Sequence, residues 1–283
     1  MICLLEKAQY MKARPLFQRL EAAQPMCTAV LEGVYPGRVF VDHPNLPETA
    51  FLSTFLASED EGVWGFLAGH PANVAFNRAL NRAIFTREIV GPKTPIVFLT
   101  CDPQDWGGML SAISEPRLLT GMPRRRYVCR ELHHDWRAHV PPGFTIQPMG
   151  ADLLRRHDLE VPDDVRLTIE KWRSATNPRF QDFGFVAIHE ASQKASIASW
   201  ATVDFVVNGT GDIGFFTVEA YRRRGLASVT VAAALEHGLT HGLSWINWTC
   251  DEENLGSIRT ARRLGLQREQ DYAMYYFLLE EEA

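Results

Sequence analysis

Few features of this chain are extreme, and what it has little of narrows its class. None of its apolar runs reaches the roughly 18 residues a bilayer-crossing helix needs, so no membrane span and no membrane partner is expected. Cysteine is scarce. The five residues Cys3, Cys27, Cys101, Cys129 and Cys250 are scattered, odd in number and without a C-x-x-C pair. That pattern excludes a disulfide framework and a cysteine-based zinc site, and it suits reduced thiols in a cytoplasmic protein. No strong charge of either sign is present. A net charge of −5 and a pI near 6.0 argue against a general nucleic-acid binder, despite local basic runs. The N-terminus carries Glu6 and Lys7 early and has no long apolar core, so no signal peptide is expected. His133 and His134 are adjacent but have no helix-spaced His or Cys partner, and they read as surface residues; no metal site is expected.

What is present is enough apolar material, 46% over 283 residues, to bury two cores. Pro141-Pro142-Gly143 marks the expected boundary, with domains at 1–140 and 141–283. In the first, residues 1–24 read as helical with a break at Pro15, and strands are expected at 39–41, 49–56, 63–67 and 95–101. A helix is expected over 73–85. Arg124 to Arg130 reads as an edge strand whose charges discourage pairing with other chains. In the second, strands are expected at 144–148, 183–188, 197–203, 245–250 and 272–279, with helices near 151–159, 164–175 and 254–264. Asn208-Gly209 is a strong hairpin signal.

One stretch organises the second half. Ile213-Gly214-Phe215-Phe216-Thr217-Val218 reads as a buried strand. A basic turn, Arg222-Arg223-Arg224-Gly225, follows, and then an alanine-rich helix that ends near Gly242. A helix N-terminus offers unpaired N–H groups and a positive dipole end, and Gly225 lets a ligand approach the backbone. The three arginines add charge that suits a pyrophosphate.

Arg222, Gly225 and Ala227 match the Arg/Gln-x-x-Gly-x-Gly/Ala signature, and on it the chain resembles the GCN5-related N-acetyltransferase (GNAT) family. The order strand, two helices, three strands, helix, strand, helix, strand is also the family's order. Asn254 to Leu266 is similar to the family's final helix, with Asn254 as cap and Gly265 as terminator. Within the family the chain is similar to the zwittermicin A resistance type, through Gly33 to Asp42 with Asn45 and Pro47, and through Trp248-Thr249-Cys250 ahead of Asn254 and Ser257. The fold implied is α/β (α+β): a mixed central sheet flanked by helices, preceded by a degenerate GNAT-like domain that lacks the phosphate loop and so a CoA site.

The resemblance implies an acyltransferase that moves an acetyl group from acetyl-CoA to a primary amine, without a metal. It implies that Arg222, Arg223, Arg224, Gly225, Leu226, Ala227 and Ser228 hold the pyrophosphate, and that Asn254 and Ser257 contact the CoA arm. The backbone of Phe215, Phe216 and Thr217 would hold the pantetheine and polarise the thioester. Many members place a Tyr acid seven residues after the Asn; Ala261 stands there instead. Asp212, which opens the strand, is the first choice of base; Asp204 and Glu219 are the others. Cys250 reads as a strand residue. A small molecule is the expected acceptor, with a protein amine as the alternative, and a non-catalytic acyl-CoA sensor as a further one.

Overall fold

A computed structural model describes residues 2–55, 62–190 and 194–280. The chain forms two compact units. The first holds residues up to Arg124 together with those from Tyr272 on; the second is Arg125–Asp271.

The chain opens with β1 (Cys3–Leu4), short helical turns that include α1 (Tyr10–Ala13) and α2 (Gln18–Glu21), and α3 (Pro25–Leu31). Strands β2 (Arg38–Val41), β3 (Thr49–Phe55) and β4 (Val63–Gly69) lead to α4 (Val74–Phe85), β5 (Ile96–Asp102), α5 (Ser111–Ser114) and β6 (Thr120–Cys129). The second unit continues with β7 (Phe144–Pro148), α6 (Ala151–Arg155), β8 (Leu159–Glu160), α7 (Asp163–Ser174), β9 (Phe183–His189), β10 (Ala195–Val207) and β11 (Thr210–Thr217). It closes with α8 (Leu226–Thr240), β12 (Trp245–Asp251), α9 (Leu255–Arg263) and β13 (Gln267–Arg268); β14 (Tyr272–Leu278) follows.

In the first unit the sheet order is β1-β2-β3-β4-β5-β14, with Thr120 to Arg124 of β6 pairing on β14. Its core gathers Phe51, Leu67, Phe76, Leu80, Trp106 and Phe277, all of them buried. The turn between β4 and α4 is self-sealed. Asn73 caps the helix by accepting from the Phe76 N–H at 3.1 Å, and its amide donates to Asp42 and Thr49.

In the second unit the order is β6-β12-β11-β10-β9-β7, with β8 beside β10 and β13 beside β6. One face is covered by α8. Its alanines 232–234 are fully buried, and Gly238 sits so close to the sheet that a Cβ there would come 2.8 Å from Ile246. Small residues thus let the helix lie close on the strands, where it packs among Val203, Ile213, Ile246 and Trp248. The other face meets Met149, Leu153, Val165 and Ile169 of the α6–α7 region.

Three expectations need correction. The opening is helical only from Lys7, because Cys3 and Leu4 pair with Val41 and Phe40. The helix expected to 159 stops at Arg155, because Leu159 and Glu160 run beside β10. The Arg124–Arg130 region is no edge. From Arg125 on, β6 lies between β12 and β13, and Arg126 is buried. The strand expected over 49–56 forms as far as Phe55; Leu56 lies outside the described residues. Asn208 and Gly209 both have positive φ, 49° and 75°, as a type I′ hairpin requires.

Candidate active site

The site begins where two strands part. The β11–β12 ladder is parallel and has three rungs: Thr210 with Trp245, Gly211 with Ile246 and Asp212 with Asn247. Both strands run on, β11 to Thr217 and β12 to Asp251, with no further rung. On its other side β11 stays paired with β10 through Ser199 and Thr217. The strands therefore part beyond this rung, and the edge of Ile213 to Thr217 that faces β12 has no ladder partner there, which leaves an opening in the sheet. The sequence placed Phe215, Phe216 and Thr217 on this segment. Phe215 turns its ring onto buried Trp248, with centroids 4.8 Å apart; Phe216 lies on the opposite face, 44% exposed, over Trp200. The Phe216 carbonyl already accepts from the Ser199 hydroxyl at 2.7 Å, which ties it to β10.

Beyond Thr217 the chain turns into α8. Arg223 and Gly225 are both left-handed, at φ 62° and 84°, and Gly225 occupies the N-cap with no side chain capping the helix. The first N–H groups of an uncapped helix have no intrahelical partner, and left-handed turns of this kind gather N–H groups into anion-binding hollows. A Cβ built on Gly225 would meet nothing within 4 Å, so the backbone faces open space there. Arg222 donates through Nε to the Thr217 carbonyl at 3.2 Å, and Arg224 lies over the Tyr221 ring. Leu226 is buried while Ala227 is part-exposed, so the helix start is anchored on one side and open on the other. The donor set fits a pyrophosphate.

At the start of α9, Asn254 accepts from the Ser257 N–H at 3.0 Å and so caps the helix. Ser257 is buried, and its hydroxyl accepts from the Trp248 indole at 3.0 Å. That bond fixes the cap against β12. Ala261, at the position of the usual acid, is wholly buried among Trp248, Ile258 and Leu264. Cys250 is buried as a strand residue.

The carboxylates of one sheet face cluster beside the opening. Asp212 is half-buried at the last rung and accepts from the Asn247 amide at 3.2 Å. Asp204 is its register partner on β10 and accepts from the Thr202 hydroxyl at 2.6 Å. Asp182, just before β9, accepts from the Val206 N–H at 3.1 Å and is hydrogen-bonded to Asp204. Burial first, and then the Asp204 charge, push Asp182 up to about 9; burial raises Asp204 as well. Two close carboxyls in a low-dielectric place share one proton. Glu219, the third candidate base, lies past the strand in the turn before Arg222, away from this cluster in the chain. Among the described residues, no group of three or more His, Cys, Asp or Glu could hold a metal ion.

Three residues of this site were not singled out in the sequence: Asp182, Asn247 and Arg126. The last two join Asp212 in a buried row. Asn247 did carry a signal, as the one polar residue in Trp245-Ile246-Asn247-Trp248.

The GNAT acetyltransferase family pattern matches residues 14–275. Similar solved structures include a GCN5-related N-acetyltransferase-like protein from Streptococcus suis, 20% identical, covering 95% of this chain and 98% of its own, with a TM-score of 0.66. A tandem GNAT protein from the clavulanic acid biosynthesis pathway is 12% identical, with coverage of 100% and 99% and a TM-score of 0.64. A GCN5-related N-acetyltransferase from Sphaerobacter thermophilus is 13% identical, with coverage of 100% and 96% and a TM-score of 0.65. No curated protein sequence matches the chain.

Proposed function

Since the chain belongs to the GNAT acetyltransferase family and is by that membership a GNAT-type N-acetyltransferase, we propose that its second unit transfers an acetyl group from acetyl-CoA to the primary amine of a small molecule by direct attack on the thioester. The observation that carries this reading is the opening beyond the Asp212–Asn247 rung, which leads to the uncapped start of α8. A strand edge for an amide-bearing arm and a hollow for its pyrophosphate lie on one continuous segment.

In this reading the backbone N–H groups of Gly225, Leu226, Ala227 and Ser228, with Arg222, Arg223 and Arg224, hold the pyrophosphate. Asn254 and Ser257 shape the turn beside the CoA arm. An N–H from Phe215, Phe216 or Thr217 donates to the carbonyl oxygen and keeps donating as it becomes an oxyanion. An alkyl ammonium has no lone pair to attack with at pH 7. Asp212, directly or through one water, takes that proton. The nitrogen then bonds to the carbonyl carbon, the C–S bond breaks, CoA leaves as a thiolate, and the second proton of the nitrogen passes to that thiolate or to water, which leaves the neutral amide. A thiol near the ordinary Cys value, about 8.5, is a tolerable leaving group without an acid, which suits a site with Ala261 in its core. Residues 1–140 are then an accessory, GNAT-like domain without a CoA site of its own, ahead of the acetyltransferase domain at 141–283, within a cytoplasmic protein.

A panel of amines with thiol-release detection tests the reading. It should include diamines, amino sugars, amino acids and peptide N-termini. Turnover confined to small amines is the expected result. Turnover of peptides alone would move the acceptor to proteins, and CoA binding without any turnover would make the chain a sensor.

A further inference from the structure

Polar side chains cross one face of the second unit's sheet in a row. Asp204 on β10 is the register partner of Asp212 on β11, and Asp212 that of Asn247 on β12. The row continues onto β6. The Arg126 Nε–H donates to the Asn247 Oδ1 at 2.8 Å, and the Asn247 Nδ2 donates to the Asp212 Oδ1 at 3.2 Å. Asn247 is wholly buried and Arg126 nearly so.

These two bonds run in only one direction. A guanidinium has donors and no acceptor, so the amide atom that faces it must be the oxygen. The NH₂ is left for Asp212, and an ionised carboxylate can only accept. An isolated buried amide has two nearly isosteric orientations; the arginine selects one. The carboxylate it reaches stands on the last rung before β11 and β12 part.

We propose that Arg126 and Asn247 are positioning residues for the transfer: Arg126 fixes the amide of Asn247, and that amide holds the Asp212 carboxylate at the mouth of the opening. The proposal rests on Asp212 as the base. Arg126 and Asn247 act through the carboxylate, without touching the reacting atoms. Other charged groups on this face include Asp251, four residues after Asn247 on β12, and Asp204 and Asp182, with Lys171 of α7 acting on Asp204. They are unchanged when Asn247 alone is replaced.

The test is a carbon-13 carboxyl titration of the full chain labelled at aspartate, with Asp212 assigned by the signal lost in Asp212→Asn. Asn247→Leu removes the donor at similar volume. Asn247→Asp keeps an acceptor for Arg126 but sets a second carboxylate against Asp212. The Asp212 midpoint should rise by about one unit in the first and by more in the second. The acid limb of kcat/KM should rise with it, while KM for acetyl-CoA stays within about twofold. Arg126→Lys should keep most of the wild-type midpoint, and Arg126→Met should not. An unmoved midpoint in any Asn247 variant that still melts cooperatively overturns the proposal. The base reading fails separately: wild-type activity in Asp212→Asn, together with a shifted midpoint in Asn247→Leu, would leave the carboxylate held by the amide but unused in catalysis.

Discussion

Asp212 and Asn247 are joined twice. They form the last backbone rung between β11 and β12, and their side chains meet at 3.2 Å. The point where the strands separate is therefore also the point where a carboxylate is fixed. A base held there stands at the narrow end of the opening, next to the backbone groups proposed to hold the thioester.

Replacing Asp212 by Asn keeps the shape and removes the base. The expected loss in kcat/KM is on the order of 10²-fold or more, with acetyl-CoA affinity nearly unchanged. Activity should partly recover towards high pH, where free amine needs no base. Steady-state kinetics from pH 6 to 9 check this. A loss within a few-fold across that range would pass the role to Asp204 or to water, and a collapse of CoA affinity would make Asp212 a structural residue.

Gly225 offers a sharper test of the turn. Its φ of 84° is costly for any other residue, but a Cβ there meets no neighbour. Gly225→Ala should thus carry only the left-handed cost, roughly 1–2 kcal/mol. Gly225→Asp adds a negative charge against the pyrophosphate. Titration calorimetry should find one acetyl-CoA per chain in the wild type, weaker binding in the Ala variant and little or none in the Asp variant. Wild-type affinity in Gly225→Asp would remove the phosphate assignment.

The Asp182–Asp204 pair predicts how stability depends on pH. Asp182 is raised from 3.8 to about 9, so the folded chain keeps a proton that the unfolded chain gives up above pH 4. The unfolded state then binds fewer protons, and stability falls as pH rises from about 4 towards 9. Asp182→Asn cannot ionise and retains an acceptor for the Val206 N–H. Thermal melts should show the wild type losing more degrees than Asp182→Asn between pH 5 and pH 8. Parallel losses would mean that the two carboxyls share no proton.

Ala261 is packed on all sides in the core. Ala261→Tyr should not install an acid. Overpacking of this kind costs about 1–3 kcal/mol, so differential scanning calorimetry should show a lower Tm, without a gain in kcat.

Much of this was legible because it is local. Asn208-Gly209 dictates its own turn, Gly225 the close approach at the helix start, and Asn254 its cap three residues on. The strand–turn–helix around the arginines needed no knowledge of the rest of the chain. What was hidden depends on which strands become neighbours. Arg126 and Asn247 are 121 residues apart and meet only because β6 pairs with β12. Arg126 read as a solvated edge charge for that reason, although its guanidinium is buried and stacked over Trp245. Asp182 precedes its strand in a polar stretch and gives no sign of a buried partner. The strand from Tyr272 was visible by its apolar content, but nothing in its pattern says that it will pair with β5 and β6.

The parting of β11 from β12 has a cost of its own. Unpaired strand edges invite another chain to add itself, and here the edge from Ile213 to Thr217 lies bare within a sheet rather than at its rim. In the function proposed above, a pantetheine arm with its two amides takes the place of the missing strand. In that proposal donor binding also repairs the sheet: at 100 times its Kd, acetyl-CoA would add about 2.7 kcal/mol to stability. The enzyme should resist aggregation best when it is loaded to work.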